Sequence, residues 1–204
     1  RLTSFDYLMG IDDISRMGGF RFADTLAGKF INCEASLRVP PLANVRELMH
    51  AAHEIEASEG KHLLPSKKWL AQLLHPGTSL GGARPKASII DEDGSLTVAK
   101  FPSRKDDYDV AQWEHFCHAM GRKAGLNVAE TRTIDGDEYH ILLSKRFDRT
   151  TDGKRRHFAS ALTLLGLTDG DNESTGYGYT DIADFIIRHG SNVERNLEEL
   201  YRRV

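Results

Sequence analysis

Two hydroxyls, two cations and a group of small residues share one turn-prone stretch, Gly77 to Lys86, which runs G-T-S-L-G-G-A-R-P-K. Small residues let a backbone come close to a bulky anion, and the cations Arg84 and Lys86 favour that anion being phosphate. A strand-like run, Ala87 to Ile90, follows, then the turn Asp91-Glu92-Asp93-Gly94, then a second strand ending in Lys100. These residues read as a nucleotide-phosphate loop with a phosphate-binding lysine on a following strand.

Glu114 is the next residue with chemical potential. The spacing predicts a helix from about Tyr108 to Lys123, closed by Gly125, with Val110, Trp113, Cys117, Met120 and Ala124 as its apolar stripe. Glu114 falls on that stripe, where a carboxylate is expensive unless it is paired or neutralised. It is either a boundary residue reaching solvent or the partner of a cation. Lys100 makes the second reading attractive, because a lysine that grips phosphates needs a carboxylate to hold its ammonium. This is the logic of the protein-kinase small lobe, with T-V-A-K standing for V-A-I-K. By the same logic the strand ending at Lys145-Arg146-Phe147 runs into a hinge where backbone groups meet adenine. No G-x-x-x-x-G-K-[ST] occurs, which disfavours a P-loop NTPase.

The elements that must position these residues follow from the rest of the chain. Its 204 residues suffice for one or two domains with a sizeable core. A net charge of −3 carries no electrostatic signature of nucleic-acid or acidic-membrane binding, and no apolar run has membrane-spanning length. Leu2-Thr3-Ser4 does not open a signal peptide, so a cytoplasmic protein is expected. Cys33 and Cys117 are expected to be reduced and partly buried. The pairs His50/His53 and His115/His118 lack a third ligand nearby, so no metal site is assigned.

Residues 1–36 read as short strands or turns around Gly18-Gly19, with a hairpin ending at Phe20-Arg21-Phe22. Asn44 is a candidate N-cap for a helix to about Ala57 that buries Val45, Leu48, Met49, Ala52 and Ile55. A short helix is expected at 66–74, burying Trp69. Strands at 127–134 and 138–147 flank the hairpin signal Asp135-Gly136. The basic turn after Arg149 reads as a solvated loop. Then come a short helix closed at Gly166, a mobile Gly/Asp-rich loop to Tyr179, a helix capped by Thr180, and a last helix capped by Ser191 or Asn192. Arg1 and the unterminated helical pattern at Val204 lead us to expect a piece of a longer protein.

The ordered motifs S-L-G-G-A-R-P-K (79–86), V-A-K-F-P-S (98–103), D-V-A-Q-W-E (109–114) and K-R-F-D-R (145–149) resemble those of the HipA-like serine/threonine kinases of bacterial toxin–antitoxin systems. S-A-L-T-L-L-G (160–166), Y-T-D-I-A-D (179–184) and N-L-E-E-L-Y-R-R-V (196–204) extend the similarity. The resemblance implies an α+β fold: a kinase-like small lobe at 76–147, an added N-terminal subdomain at 1–75, and the start of a helical large lobe at 148–204. It implies that Ser79, Leu80, Gly81, Gly82, Ala83, Arg84 and Lys86 form the ATP-phosphate loop, with Ser79 autophosphorylated and Thr78 a second acceptor. Arg84 is then a phosphate contact or a surface charge. Lys86 and Lys100 meet phosphates, Glu114 orients Lys100, and Lys145, Arg146 and Phe147 hold adenine through backbone groups.

The implied cofactors are ATP and Mg2+, the implied substrate is a protein serine, and a HipB-like DNA-binding antitoxin is a candidate partner for 1–75. The family's catalytic aspartate, its asparagine partner and its metal-binding aspartate are expected after the helix that ends this chain. These 204 residues alone are therefore expected to be inactive. The alternative is a non-catalytic module that binds the antitoxin and acts in repression.

Overall fold

A computed structural model describes residues 3–33, 39–58, 84–168 and 170–204. The expected helix at 66–74 and most of the phosphate loop lie outside them. The chain divides into two bodies, Arg1–Met120 with Val128–His157, and Gly121–Asn127 with Phe158–Val204. Mixed helix and a small antiparallel sheet make the fold α+β.

The first body opens with α1 (Ser4–Gly10), where strands or turns were expected. Thr3 explains the difference: its hydroxyl accepts the Asp6 N–H, and the Asp6 carboxylate accepts the Thr3 N–H, closing a capping box. Of the expected hairpin, the described residues show a single bridge, between Ala23 and Phe30. Helix α2 (Val45–Ser58) follows a 3-10 turn, Leu42–Asn44, that takes in the expected cap residue Asn44.

Four strands make the sheet: β1 (Lys86–Ile90), β2 (Leu96–Lys100), β3 (Thr131–Ile134) and β4 (Ile141–Lys145), in the order β1-β2-β4-β3. Every pairing is antiparallel. The β1–β2 turn works because Gly94 adopts φ +77°, a conformation costly for residues with a Cβ. β3 and β4 are shorter than expected, and residues 135–140 connect them where a two-residue turn was predicted.

Side chains alternate across a strand, so each face has its own set. On one face Ala87, Ile89, Ala99, Phe101, Ile141 and Leu143 meet Val45, Leu48, Met49 and Ala52 of α2. This is the core, and each fully buried Leu, Ile or Met in it contributes about 1.5–3 kcal/mol. The opposite face carries Lys86, Lys100 and Leu142, and helix α3 (Val110–Lys123) approaches it. Ile141, Leu142 and Leu143 are all buried because β4 is central and covered on both sides.

The face that α3 turns inward is not the predicted one. Ala111 is buried and Glu114, His115 and His118 are half-buried, whereas Trp113, Cys117 and Met120 are exposed. Cys33 is exposed as well, so both thiols depart from the expected partial burial. The inward face bonds to what the sheet offers: His115 Nδ1 lies 3.0 Å from Thr131 Oγ1, and His118 Nδ1 lies 3.1 Å from the Ala129 carbonyl.

Charge fastens the N-terminal segment to residues 146–155. Asp148, fully buried, accepts hydrogen bonds from Arg146, Arg149 and the Gly18 N–H, all at 2.7–2.8 Å. Asp13 pairs with Arg21 at 2.5 Å and with Arg155 at 3.0 Å. Arg155 therefore belongs to a structural pair, and the basic turn is not simply the solvated loop its composition predicts.

In the second body, α4 (Ala161–Leu164) starts at the Ser160 cap, and Gly166 follows it with φ +69°. The polar loop beyond is tied down locally: the Asp171 carboxylate accepts the Thr168 N–H at 2.8 Å, and a 3-10 turn spans Glu173–Thr175. Helix α5 (Tyr179–His189) begins after Gly178, ahead of the expected cap Thr180, because the Asp181 carboxylate takes the Gly178 N–H at 2.7 Å. Helix α6 (Val193–Arg203) follows Asn192, which sits in the left-handed region at φ 54°. It holds Asn127 at both ends: Glu199 accepts its N–H and Arg203 donates to its carbonyl. No helix among the described residues is long and apolar enough to cross a membrane.

Candidate functional site

The register of the sheet sets the site's first two groups. Lys86 stands opposite Lys100, and Lys100 opposite Leu142, so both ammonium stems rise on the α3 side. Glu114 comes one turn into α3. Lys100 Nζ donates to Glu114 Oε1 at 2.5 Å, and His118 Nε2 lies 3.8 Å from the same oxygen. Glu114 is thus the partner of a strand lysine, not a carboxylate left to solvent. The pair borders a cavity of about 20 Å³, also lined by Phe101, Ala111 and Leu142, room for one water.

Lys86 shares this surface. Burial pulls its ammonium below the ordinary lysine range, the positive charge of Lys100 pulls it further, and Glu114 offsets only part of this. Lys86 and Lys100 therefore both lie in the field of Glu114. The Arg84 guanidinium pairs with Asp106, whose carboxylate also accepts the Ser103 N–H. Of the two roles open to Arg84, this partner accounts for its charge without a ligand.

The candidate hinge is built differently from the lysine pair. Lys145 shares its strand face with Ile141 and Leu143, and its Nζ lies 3.0 Å from Asp93, whose hydrogen bond and charge raise the lysine's basicity. The N–H groups of Lys145 and Arg146 donate to the carbonyls of Glu130 and Leu96. The Arg146 side chain is buried against Asp148, the Ser15 carbonyl and the Ser88 hydroxyl, and Phe147 is exposed. Lys100, Glu114 and Lys86 come together, while the side chains of Lys145 and Arg146 serve the sheet and the N-terminal segment. Ser79, Leu80, Gly81, Gly82 and Ala83, like Thr78, lie outside the described residues.

One cluster escaped the sequence reading. Asp109, just before α3, meets His140, just before β4, with His140 Nδ1 2.5 Å from Asp109 Oδ2. Asp109 as a cap residue ahead of a helical run was a readable signal. Its second partner, on a distant strand, was not. Among the described residues no group of three His, Cys, Asp or Glu side chains is placed to hold a metal ion.

The family description "HipA-like C-terminal domain" matches residues 78–204. No curated protein and no solved structure matches the chain.

Proposed function

The chain belongs to the HipA-like C-terminal domain family, and on that premise we propose that its sheet and α3 form the ATP-gripping half of a HipA-like serine/threonine protein kinase. The family is kinase-related and tied to toxin–antitoxin systems. The observation that carries the reading is the 2.5 Å bond from Lys100 on β2 to Glu114 on α3. A helix carboxylate that holds a strand ammonium in place fixes where a bound phosphate finds its positive charge.

The donor set fits a polyphosphate. Lys86 and Lys100 bring two positive charges to one surface, with Glu114 bonded to Lys100. An anion arriving there offsets the burial and the charge of Lys100 that hold Lys86 below its ordinary range. When bound, ATP supplies the phosphoryl group to be transferred to a protein hydroxyl, and Mg2+ accompanies the phosphates. We assign none of the Mg2+ ligands to this chain. Its own residues bind and orient: Lys86 and Lys100 hold phosphate oxygens, Glu114 holds Lys100, and the stretch Ser79–Lys86 is assigned to the ATP phosphates. Adenine would be held against 145–147 by backbone groups, of which the N–H groups of Lys145 and Arg146 already donate to Glu130 and Leu96.

In this proposal residues 76–147 are a kinase-like small lobe, 1–75 an added subdomain that is the candidate antitoxin surface, and 148–204 belong to a helical lobe. Ser79 is the autophosphorylation site. A phosphate on it places roughly two negative charges where the ligand's phosphates must sit, so it switches binding off. The test is phosphate incorporation in the protein. Lys100→Ala abolishes it and Ser79→Ala removes the main phosphopeptide; unchanged labelling of both variants overturns the assignment.

A further inference from the structure

We propose that a cavity at the β1–β2 turn end of the sheet binds a small organic dication, an alkyl chain carrying two primary ammonium groups. The site is separate from the lysine pair beside α3 and does not rest on the ATP reading.

The cavity holds about 430 Å³, within the range of small-molecule sites. Thr97 lies two positions before Ala99 and stands opposite Lys145, so the cavity lies on the sheet face that carries the core, away from Lys100. The β1–β2 turn is tied across this face by two ion pairs. Arg132 of β3 donates to Asp91 at 2.6 Å, and Lys145 at the end of β4 donates to Asp93 at 3.0 Å. Hydrogen bonds from Ser95 and Lys145 hold the Asp93 carboxyl well below the usual carboxylate range, so that pair stays charged.

Two independent features point to a ligand. The first is Thr97, which lines the cavity at 2 % exposure. Its Oγ1 has no hydrogen-bond partner among the described residues. A buried hydroxyl left unpaired is costly, and native proteins give nearly all such groups a partner. The second is charge. Asp91, Glu92, Asp93 and Glu130 line the cavity against only Arg132 and Lys145, four carboxylates to two cations. Each cation already holds one aspartate, while Glu92 and Glu130 have no ion-pair partner among the described residues. The surplus is two negative charges.

These features select the ligand. A negative surplus turns away phosphates and other anions. A bare metal ion fits poorly, since no group of three His, Cys, Asp or Glu among the described residues is placed to hold one. An ammonium group donates up to three hydrogen bonds and accepts none, which suits carboxylates and the free lone pairs of Thr97 Oγ1. Two ammonium groups on one chain match the two surplus glutamates in number. Leu143, 2 % exposed, offers apolar surface to the methylenes between them.

The experiment follows NMR signals of the isotope-labelled chain during titration with putrescine, with butylamine and with Mg2+, each alone. About 0.15 M salt screens long-range attraction to the acidic surface beyond about 8 Å. Putrescine should shift Thr97, Leu143 and Lys145 saturably and bind at least about fivefold tighter than butylamine, which carries one charge. Thr97→Val, which removes the hydroxyl and nearly keeps the shape, should weaken putrescine about tenfold and melt no lower than the wild type. Glu92 and Glu130 are exposed, so Glu92→Gln with Glu130→Gln should fold normally and lose the preference for putrescine over butylamine. Shifts that fail to saturate, or an affinity unchanged in Thr97→Val, overturn the site. The same shifts with Mg2+ alone overturn it in favour of a metal ion. No shift with putrescine overturns it in favour of a buried water on Thr97.

Discussion

Asp148 Oδ2 accepts the backbone N–H of Gly18 at 2.7 Å, joining residues 130 positions apart in the chain. Arg146 and Arg149 complete the shell of a carboxylate that solvent does not reach. Asp148→Asn keeps the shape and removes the charge, leaving two largely buried guanidinium groups without their partner. Breaking such a pair costs about 3–5 kcal/mol, which urea denaturation of the two proteins would show. Equal midpoints would contradict this account of how the N-terminal segment is held.

The same carboxylates set the response to acid. Burial pushes Asp13 and Asp148 up, yet hydrogen bonds and charges from Arg21 and Arg155 on one, and from Arg146, Gly18 and Arg149 on the other, hold both below the ordinary range. A carboxyl depressed on folding stabilises the fold above its unfolded pKa, about 3.9 for aspartate, and the gain is lost as pH falls towards the folded value. Melting temperatures taken from pH 7 to pH 3 should drop steeply below about pH 4 in the wild type. They should drop less in Asp13→Asn with Asp148→Asn, because the double variant has already lost that contribution.

The orientation of α3 separates two substitutions that look alike in sequence. Leu142 is fully buried beneath the helix, so Leu142→Ala costs about 2–5 kcal/mol. Trp113 is 58 % exposed, so Trp113→Ala stays within about 1 kcal/mol despite its greater size. Comparable losses would mean that the helix presents its apolar stripe to the sheet after all.

Much of the sheet was legible. The Asp91–Gly94 turn and its flanking β-branched runs announce β1 and β2, and the stripe from Val45 to Ala52 announces the helix that covers them. α3 misled because apolar periodicity marks the side chains that could be buried, whereas this helix turns Glu114, His115 and His118 towards a sheet face of lysines and hydroxyls. Polar complementarity of that kind has no period to read. α1 was missed because a seven-residue helix depends on one capping box, Thr3 with Asp6, among turn-forming residues. The Lys100–Glu114 pairing was readable because both partners lie on neighbouring elements. Asp148 with Gly18, and Asp13 with Arg155, were not, since nothing local marks partners so far apart in the chain.

Lys86 offers a test of binding. Burial and the charge of Lys100 hold its ammonium below the ordinary lysine range, and Lys86→Met removes that charge while keeping an unbranched side chain. The same change should weaken an ATP analogue roughly ten- to a hundredfold, the equivalent of about 1.5–3 kcal/mol for a lost charge-assisted contact. A variant that binds as well as the wild type would remove Lys86 from the site.

The central claim is that Lys100, held by Glu114, grips nucleotide phosphate. Titration calorimetry with a non-hydrolysable ATP analogue and Mg2+ tests it most directly, comparing the wild type with Lys100→Met and Glu114→Gln. The account predicts that the wild type binds, that Lys100→Met loses at least about tenfold in affinity, and that Glu114→Gln is weakened while its fold is kept. Equal affinity in all three proteins would contradict it.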